Sequence, residues 1–182
     1  MKKIWSCRLM MRGVILALGA WGCAAPSIYS INMGYHADSA VAPSYLKPDA
    51  KALQSIIAIA EFTDTRKIDD PLVLGRVQEK NGMKVLVLPK NTRPTQAAAD
   101  GVRQYLRKAG YNVSAIVNRW NLQETAIPQI ANSKVLIGGA IEELEINCRR
   151  SFPTNAYTTK IRLTLYLADM KARKILYRTT VV

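Results

Sequence analysis

From Ser55 onward, hydrophobic residues form short apolar runs that predict the first strands of a sheet. Ser55–Asp64 is almost continuously apolar, which is typical of a strand buried on both faces. Residues 71–89 hold two β-rich runs on either side of Asn81-Gly82. An Asn-Gly pair between such runs predicts a β-hairpin, here with a loop longer than the tightest class.

The segment from Thr92 to Gly110 has the periodicity of an amphipathic helix. Pro94 suits the first turn, Thr92 or Thr95 suits the N-terminal cap, and Gly110 suits the position after the last turn. The apolar face consists of Ala98, Val102, Tyr105, Leu106 and Ala109, while Arg103, Arg107 and Lys108 point away. We therefore predict a helix that packs on a sheet.

The second half of the chain predicts four more strands. They are Tyr111–Val117, Lys134–Arg150, residues 156–169 and a last strand from Ile175 to the terminus. Between the first two, residues 118–133 hold Trp120 and are broken by Pro128, which favours a short helix or an ordered loop.

Alternation along the two long strands predicts which side chains share a face. In Lys134–Arg150 one face is expected to hold Leu136, Ala140, Leu144, Ile146 and Cys148, and Gly138-Gly139 indicates a bend, a bulge or a close backbone approach. In residues 156–169 we expect Ile161, Leu163, Leu165 and Leu167 inward and Lys160, Arg162, Thr164 and Tyr166 outward. The predicted fold class is α+β, with a mixed, largely antiparallel sheet and one long amphipathic helix on one face.

The N-terminus has the pattern of an export signal. Lys2, Lys3, Arg8 and Arg12 precede about ten apolar residues, which matches the basic and apolar regions of a secretory signal. A membrane-spanning helix needs roughly 20 apolar residues. We therefore expect residues 1–22 to be a signal peptide.

The block Ala20-Trp21-Gly22-Cys23 resembles the lipobox of bacterial lipoproteins. This resemblance implies that Cys23 receives a lipid and becomes the new N-terminus; Ala20 stands where leucine is usual and Trp21 where a small residue is usual. Two alternatives remain open. Ala20 and Gly22 also satisfy the small-x-small rule for ordinary secretory cleavage, and the segment could remain as an uncleaved anchor.

Residues 23–52 are rich in Ala, Ser and Pro, which favours a flexible tether. Tyr29, Ile31, Met33 and Tyr35 recur with period two, so a short strand docked on the domain or on the lipid surface is the alternative. His36, the one histidine of the chain, is expected to be incidental. The predicted organisation is a signal at 1–22, a lipidated tether at 23–52 and one domain at 53–182.

Three cysteines bear on the expected compartment. Cys7 leaves with the signal, and Cys23 carries the lipid. Cys148 then remains as a lone thiol, which we expect to be a small buried hydrophobe. If Cys23 is not acylated, a bridge from Cys23 to Cys148 becomes possible.

The chain is strongly basic, and the four bases of the signal reduce its net charge from +13 to +9. Outside the cytoplasm, the available polyanions are anionic lipid, lipopolysaccharide and cell-wall polymer rather than nucleic acid. The alternative is a solvated face that deters edge-to-edge aggregation. The candidate anionic-partner patch, suited to an envelope protein or an anionic glycolipid or polymer, comprises Arg149, Arg150, Lys160, Arg162, Lys171, Arg173, Lys174 and Arg178.

Common catalytic motifs are absent from the sequence: it has no G-x-S-x-G, H-E-x-x-H, P-loop or C-x-x-C. Glu142, Glu143, Glu145 and the pair Asp69-Asp70 suit acid-base chemistry, but such residues more often face solvent on a strand and a turn. We therefore expect a non-enzyme with no catalytic residues, no metal and no cofactor.

The order of IAIAEFTD, a helix ending YLRKAGYNV, and KVLIGGAIEELEI before an alternating strand resembles the YajG-like lipoprotein family. More loosely, it is similar to lipopolysaccharide-assembly and transport-auxiliary lipoproteins. The resemblance covers Ser55 to Val182 together with Cys23. It implies an outer-membrane lipoprotein facing the periplasm, and Ala24 after the cysteine is similar to lipoproteins sent to the outer membrane.

The chain departs from that family after its last strand, where a second long helix is usual. The sequence is therefore expected to be either a fragment or a domain that exposes a sheet face to a partner. The expected function is a membrane-anchored, non-catalytic binding or scaffold module of the Gram-negative envelope. Its alternatives are an accessory subunit of a lipid or lipopolysaccharide transport complex, a protein secreted to the periplasm, and, more distantly, a secreted hydrolase.

Overall fold

The computed structural model describes residues 28–117 and 119–182. The strands are β1 (Tyr29–Ile31), β2 (Ile56–Ala60), β3 (Thr63–Asp64), β4 (Gly75–Gln78), β5 (Lys84–Pro89), β6 (Val113–Val117), β7 (Ser133–Arg149), β8 (Ala156–Asp169) and β9 (Lys174–Val181). The helices are a single turn, α1 (Ala50–Leu53), and α2 (Pro94–Lys108), with short 3-10 turns at Ala37–Ser39, Ser44–Leu46 and Glu124–Ala126.

Strand β7 is the centre of the sheet. Along one side it pairs in parallel with β2, β3 and β4 in turn, and along the other it pairs antiparallel with β8 over nearly its whole length. Strand β6 lies outside β2, strands β5 and β1 lie outside β4, and β9 lies outside β8. All nine strands of the described residues therefore belong to one sheet.

The predicted fold class is confirmed. The long β7–β8–β9 meander and the β4–β5 hairpin are antiparallel, so most paired residues are in antiparallel ladders. Parallel pairing joins β2 to the first part of β7 and β4 to its last part. Helix α2 packs on one face, over an apolar cluster that contains Ile59, Phe62 and Ile141.

Helix α2 begins and ends where the sequence predicts. Pro94 occupies the first turn, and Gly110 has a φ of 101°, a left-handed conformation that favours glycine after a helix. The predicted threonine cap is wrong, because Arg93 is the N-cap residue and no side chain caps it. Thr92 bonds to Gln96 instead, and Thr95 donates to Glu61 at 2.8 Å.

Gly138-Gly139 is the close approach that the sequence suggested. Phe62 packs on one face of β7 at Gly139, and Trp120 packs on the other face at Gly138. A methyl group built at residue 139 would lie 2.5 Å from Cε2 of Phe62, and one at residue 138 would lie 2.7 Å from Cε3 of Trp120. The missing side chains therefore let two large rings cover the same stretch of strand.

The predicted face of β7 is wrong beyond Ile141. The β7–β8 register shifts between Ile141 and Glu143, so that Glu142 is the extra residue of a bulge. Leu136 packs with Trp120 on one face, whereas Leu144 packs with Phe62 and Ile141 on the other. A bulge moves all later side chains to the opposite face, and a strict two-residue period cannot detect it.

Strand β8 is covered on both faces near its middle. Leu163 and Leu165 lie on the helix side as predicted. Thr164 and Tyr166 were expected to face solvent, but Tyr166 packs beneath residues 119–132 and Thr164 donates to Glu142. Thr164 is fully buried, and the Tyr166 ring meets Trp120 edge-on at 6.3 Å between centroids.

Residues 28–53 lie against the domain at several points. Tyr29–Ile31 form the docked strand that the period-two pattern offered as an alternative, and they pair with β5. The side chain of Asn91 binds both backbone groups of Met33, at 2.7 and 3.0 Å. Lys108 donates to the carbonyls of the Ala37–Ser39 turn at 2.6 and 2.7 Å. This part of the predicted tether is therefore held to the sheet and to α2.

Two further findings concern membrane spans and thiols. Across residues 28–117 and 119–182, the helices are too short or too polar to cross a bilayer. Cys148 is buried as a free thiol beside Val77 and Val87, as predicted.

Replacement of Gly138 or Gly139 by Ala should lower the free energy of unfolding by about 1–3 kcal/mol, because the buried Trp120 and Phe62 rings would have to shift. Urea denaturation followed by tryptophan fluorescence measures the loss. Gly34→Ala is the matched control, since no heavy atom lies within 4 Å of an added methyl group there. Equal stability of all three variants would contradict the packing.

Candidate functional site

An apolar groove of about 570 Å³ lies between α2 and the part of the sheet that the helix leaves uncovered. Helix α2 borders one side with Gly101, Val102 and Tyr105. Strands β8 and β9 form the floor, and residues 33–35 complete the lining. The volume lies within the range of small-molecule sites, about 300–1,000 Å³.

The floor of the groove is built from the inward positions of two paired strands. Its residues are Ile161, Leu163, Leu165, Leu167, Tyr177 and Thr179. Ile161 remains 45% exposed and Tyr177 remains 61% exposed, so part of this apolar surface contacts solvent. Opposite the floor, Tyr35 packs where Gly101 has no side chain, with its Cβ 3.4 Å from the position of an added methyl group.

Among residues 28–117 and 119–182, those that line this groove include no Asp, Glu, His, Cys, Lys or Arg. The lining residues with a hydroxyl on the side chain are tyrosines and Thr179. The arrangement is therefore suited to binding an apolar group by burial.

Glu61 joins three segments near the first turn of α2. Its carboxylate accepts from the Thr95 hydroxyl at 2.8 Å and from Arg119 at 3.3 Å, and Arg93 lies 3.6 Å away. Burial raises the pKa of Glu61, but these hydrogen bonds and positive charges lower it more, so the pKa lies below its ordinary value of 4.5. The carboxylate therefore stays ionised and holds the helix start and residue 119 to the end of β2.

A second cleft, of about 600 Å³, lies beside residues 65–76 and is lined by groups of both charges. Its wall includes the side chains that the sequence offered for acid-base work, Glu142, Glu143 and Glu145. Glu142 accepts from Thr164 at 2.6 Å, and Glu143 lies 3.7 Å from Arg162. These two carboxylates therefore have local partners. Asp69 and Asp70 do not line this cleft.

Arg66 organises the loop beside that cleft. Its guanidinium binds Asp64 at 2.7 Å and also donates to the carbonyls of Val73 and Leu144 at 3.0 and 3.2 Å. Burial raises the pKa of Asp64, but hydrogen bonds from the side chain and backbone of Arg66 lower it more, so it lies below its ordinary value of 3.8. The pair ties β3 to β7 and to the loop before β4.

The structure separates the eight cations of the candidate patch into groups. Arg149 and Arg150 lie at the end of β7, whereas Lys171, Arg173 and Lys174 lie at the β8–β9 turn. Arg149 pairs with Ala156 and Lys174 pairs with Asp169, thirteen residues apart along β8. At about 3.3 Å per residue, the two groups are some 40 Å apart.

The remaining cations of the patch face local partners. Arg162 and Lys160 lie opposite Glu143 and Glu145 in the ladder, and the guanidinium of Arg178 lies 5.1 Å from the centroid of the Tyr166 ring. The single patch is therefore replaced by separate clusters, because strand order and register distribute residues that are close in the sequence. Binding of an anionic partner by any of these clusters stays a prediction.

Two other predictions concern lipid and metal. Cys23 lies outside the described residues, so its lipidation also stays a prediction. In the part of the chain that the structure describes, no group of three or more His, Cys, Asp or Glu side chains is arranged to hold a metal ion.

Comparisons with known proteins find a likeness in structure but none in sequence. No protein-family model matches the chain, and no curated protein matches its sequence. Among solved structures, the chain is similar to the crystal structure of protein XCC0632 from Xanthomonas campestris, of the family DUF330, with a TM-score of 0.45. The sequence identity is 14%, and the match covers 85% of this chain and 75% of that chain. The resemblance to the YajG-like family stays a prediction.

Asp64→Asn should lower the free energy of unfolding at pH 7 by about 2 kcal/mol, because charged hydrogen bonds to Arg66 are lost. Since folding lowers the pKa of Asp64, its contribution is present above the ordinary pKa of 3.8 and is lost as pH falls through the folded pKa. The variant should therefore lose less stability than the parent between pH 6 and pH 2. Urea denaturation at several pH values measures this.

Asp69→Asn is the control for that comparison, because Asp69 is an exposed carboxylate in the neighbouring loop. It should change the free energy of unfolding at pH 7 by less than Asp64→Asn does, because Asp69 has no ion pair like that of Asp64 with Arg66 among the described residues. Parallel stability curves for the parent and Asp64→Asn would contradict the role of the Asp64–Arg66 pair.

Proposed function

We propose that this protein is a membrane-anchored, non-catalytic binding module of the bacterial envelope, held by a lipid on Cys23 and facing the periplasm from the outer membrane. The observation that carries the binding role is the apolar groove beside α2. Its lining buries apolar groups and offers hydroxyls as its polar side-chain groups. The sequence around Cys23 supports the anchor.

The groove is suited to an acyl chain. A volume of about 570 Å³ lined by aliphatic and aromatic side chains accommodates a hydrocarbon chain without an unpaired buried charge. Each methylene group moved from water into such a site contributes about 0.8 kcal/mol. The ligand class is therefore a lipid or lipid-like molecule of the envelope.

The same groove favours a second candidate, an accessory subunit of a lipid or lipopolysaccharide transport complex. Such a subunit needs a surface for acyl chains and a stable membrane complex. Co-purification of a stoichiometric complex in mild detergent supports this candidate. Salt-sensitive binding to isolated envelope polymer by the uncomplexed protein supports an independent binding module instead.

Acylation of Cys23 is tested by the intact mass of protein made in a Gram-negative host. We expect the loss of residues 1–22 and the added mass of a diacylglyceryl group with its further acyl chain. Inhibition of lipoprotein signal peptidase should leave the signal attached, and Cys23→Ser should abolish the lipid mass. Unchanged processing and membrane association in Cys23→Ser would contradict the anchor.

The groove is tested with dansyl-undecanoic acid, a fluorescent acyl probe. Parent protein should give saturable enhancement of dansyl emission, and Ile161→Ser with Tyr177→Ser should weaken binding about tenfold because exposed apolar floor is lost. The matched control is Leu86→Ser with Tyr45→Ser, which removes the same kinds of exposed side chain outside the groove. Equal binding by both double variants would overturn the groove assignment.

A further inference from the structure

The docked strand β1 brings the proposed anchor close to the folded domain. Tyr29 is held by a 2.5 Å hydrogen bond to Glu79 and by the guanidinium of Arg150, 5.0 Å from its ring centroid. Ile28, the first described residue, comes five positions after Cys23, with four residues between them. Five residue steps span at most about 18 Å. A lipid on Cys23 therefore leaves the domain little freedom to move away from the bilayer.

The direction of β1 determines which end of the domain is near the anchor. We define the hairpin end as residues 79–84 and 149–157. Strand β1 runs parallel to β5, which leads away from the hairpin, so Ile28 lies on the hairpin side of Tyr29.

The opposite end, at the β8–β9 turn, lies beyond the reach of the anchor. Successive strand pairings across β5 and β4 place Tyr29 in the same row of the sheet as Ile146 of β7. The β8–β9 turn begins after Asp169, which pairs with Val135, eleven residues before Ile146 along β7. That separation is about 35 Å. It is twice the largest distance that the chain can span between Cys23 and Ile28.

The hairpin end exposes two aromatic side chains. Phe152 is 90% exposed in the loop after β7, and Tyr157, the second residue of β8, is 71% exposed. Aromatic rings are favoured at the boundary between headgroups and acyl chains. An isolated aromatic ring this exposed has no packing role within the domain.

The same end of the domain has an excess of positive charge. Lys80, Lys84, Arg149 and Arg150 lie at the hairpin end, and the acid among residues 79–84 and 149–157 is Glu79, which is engaged by Tyr29 and Arg150. Each cation near an anionic leaflet strengthens binding about fivefold at moderate salt. The β8–β9 turn is also basic, but its residues 170–173 expose no large apolar side chain.

We infer that the hairpin end rests on the anionic phospholipid surface that holds the anchor, with Phe152 inserted among the headgroups and the cations against lipid phosphates. This inference rests on the proposed acylation of Cys23. It fixes the orientation of the domain, with β7 ending at the membrane and the β8–β9 turn pointing away.

The test uses the full processed lipoprotein in vesicles of phosphatidylethanolamine and phosphatidylglycerol. Cys148→Ala is combined with Phe152→Cys or with Ala172→Cys, and each new thiol carries the same environment-sensitive NBD label. Phospholipids with a nitroxide on the upper acyl chain should quench the label at 152 at least twofold more than the label at 172. Equal quenching at the two positions overturns the inference.

Charge is tested with two matched pairs in the Phe152→Cys background. Lys80→Glu with Lys84→Glu should reduce the quenching at 152, whereas Lys171→Glu with Lys174→Glu should leave it unchanged. Far-ultraviolet circular dichroism confirms that each variant is folded. Equal effects of the two pairs overturn the orientation.

The outcomes separate this inference from the proposed function. Acylated protein with no quenching at 152 overturns the inference and leaves the anchor intact. Unacylated protein whose label at 152 is quenched by added vesicles supports the lipid-facing end and overturns the anchor. Shielding of residue 152 in native membranes but not in protein-free vesicles assigns the surface to a protein partner and overturns the lipid assignment.

Discussion

The contact of Phe62 and Trp120 with opposite faces of Gly138-Gly139 is the constraint on which the sheet depends. Strand β7 can have no side chains at this point, because a large ring packs against its backbone from each face. Phe62 belongs to the apolar cluster beneath α2, and Trp120 belongs to the cluster beneath residues 119–132. Side chains at these two positions would push both layers outward. The pair of glycines therefore lets a single sheet support two apolar clusters, and close packing of such interiors makes the arrangement specific.

The bulge at Glu142 gives the second half of β7 a different role. After it, Leu144 and Ile146 contribute to the cluster that includes β1, β4 and β5. Glu142 itself accepts from Thr164, whose hydroxyl also lies 2.9 Å from that of Thr180. The buried hydroxyl of Thr164 in β8 therefore has hydrogen-bond partners on both neighbouring strands, β7 and β9. A buried hydroxyl without a partner would be destabilising.

Local signals in the sequence predicted helices and strands. The groove and the positions of the cations depend instead on contacts between residues that are distant in the sequence. Pro94, Gly110 and Asn81-Gly82 act through a few neighbouring residues, so helix α2 and the β4–β5 hairpin were correctly placed. The inward residues Leu163 and Leu165 were also identified. The groove above them was not, because it depends on how much of the sheet α2 covers. The dispersal of the cations follows from strand order, which composition and alternation leave undetermined.

Pairing of β2, β3 and β4 with β7 has a consequence for synthesis. Ile57 pairs with Val135, so about eighty residues must be made before this parallel contact can form. Until residues 133–149 are available, β1 can pair with the β4–β5 hairpin and β2 can pair with β6, but the strand that joins these two groups is missing. The domain consequently folds late, after most of its chain has been translated, and non-local topologies of this kind fold slowly. Throughout that interval β2 lacks the partner that lies along its other edge in the finished sheet.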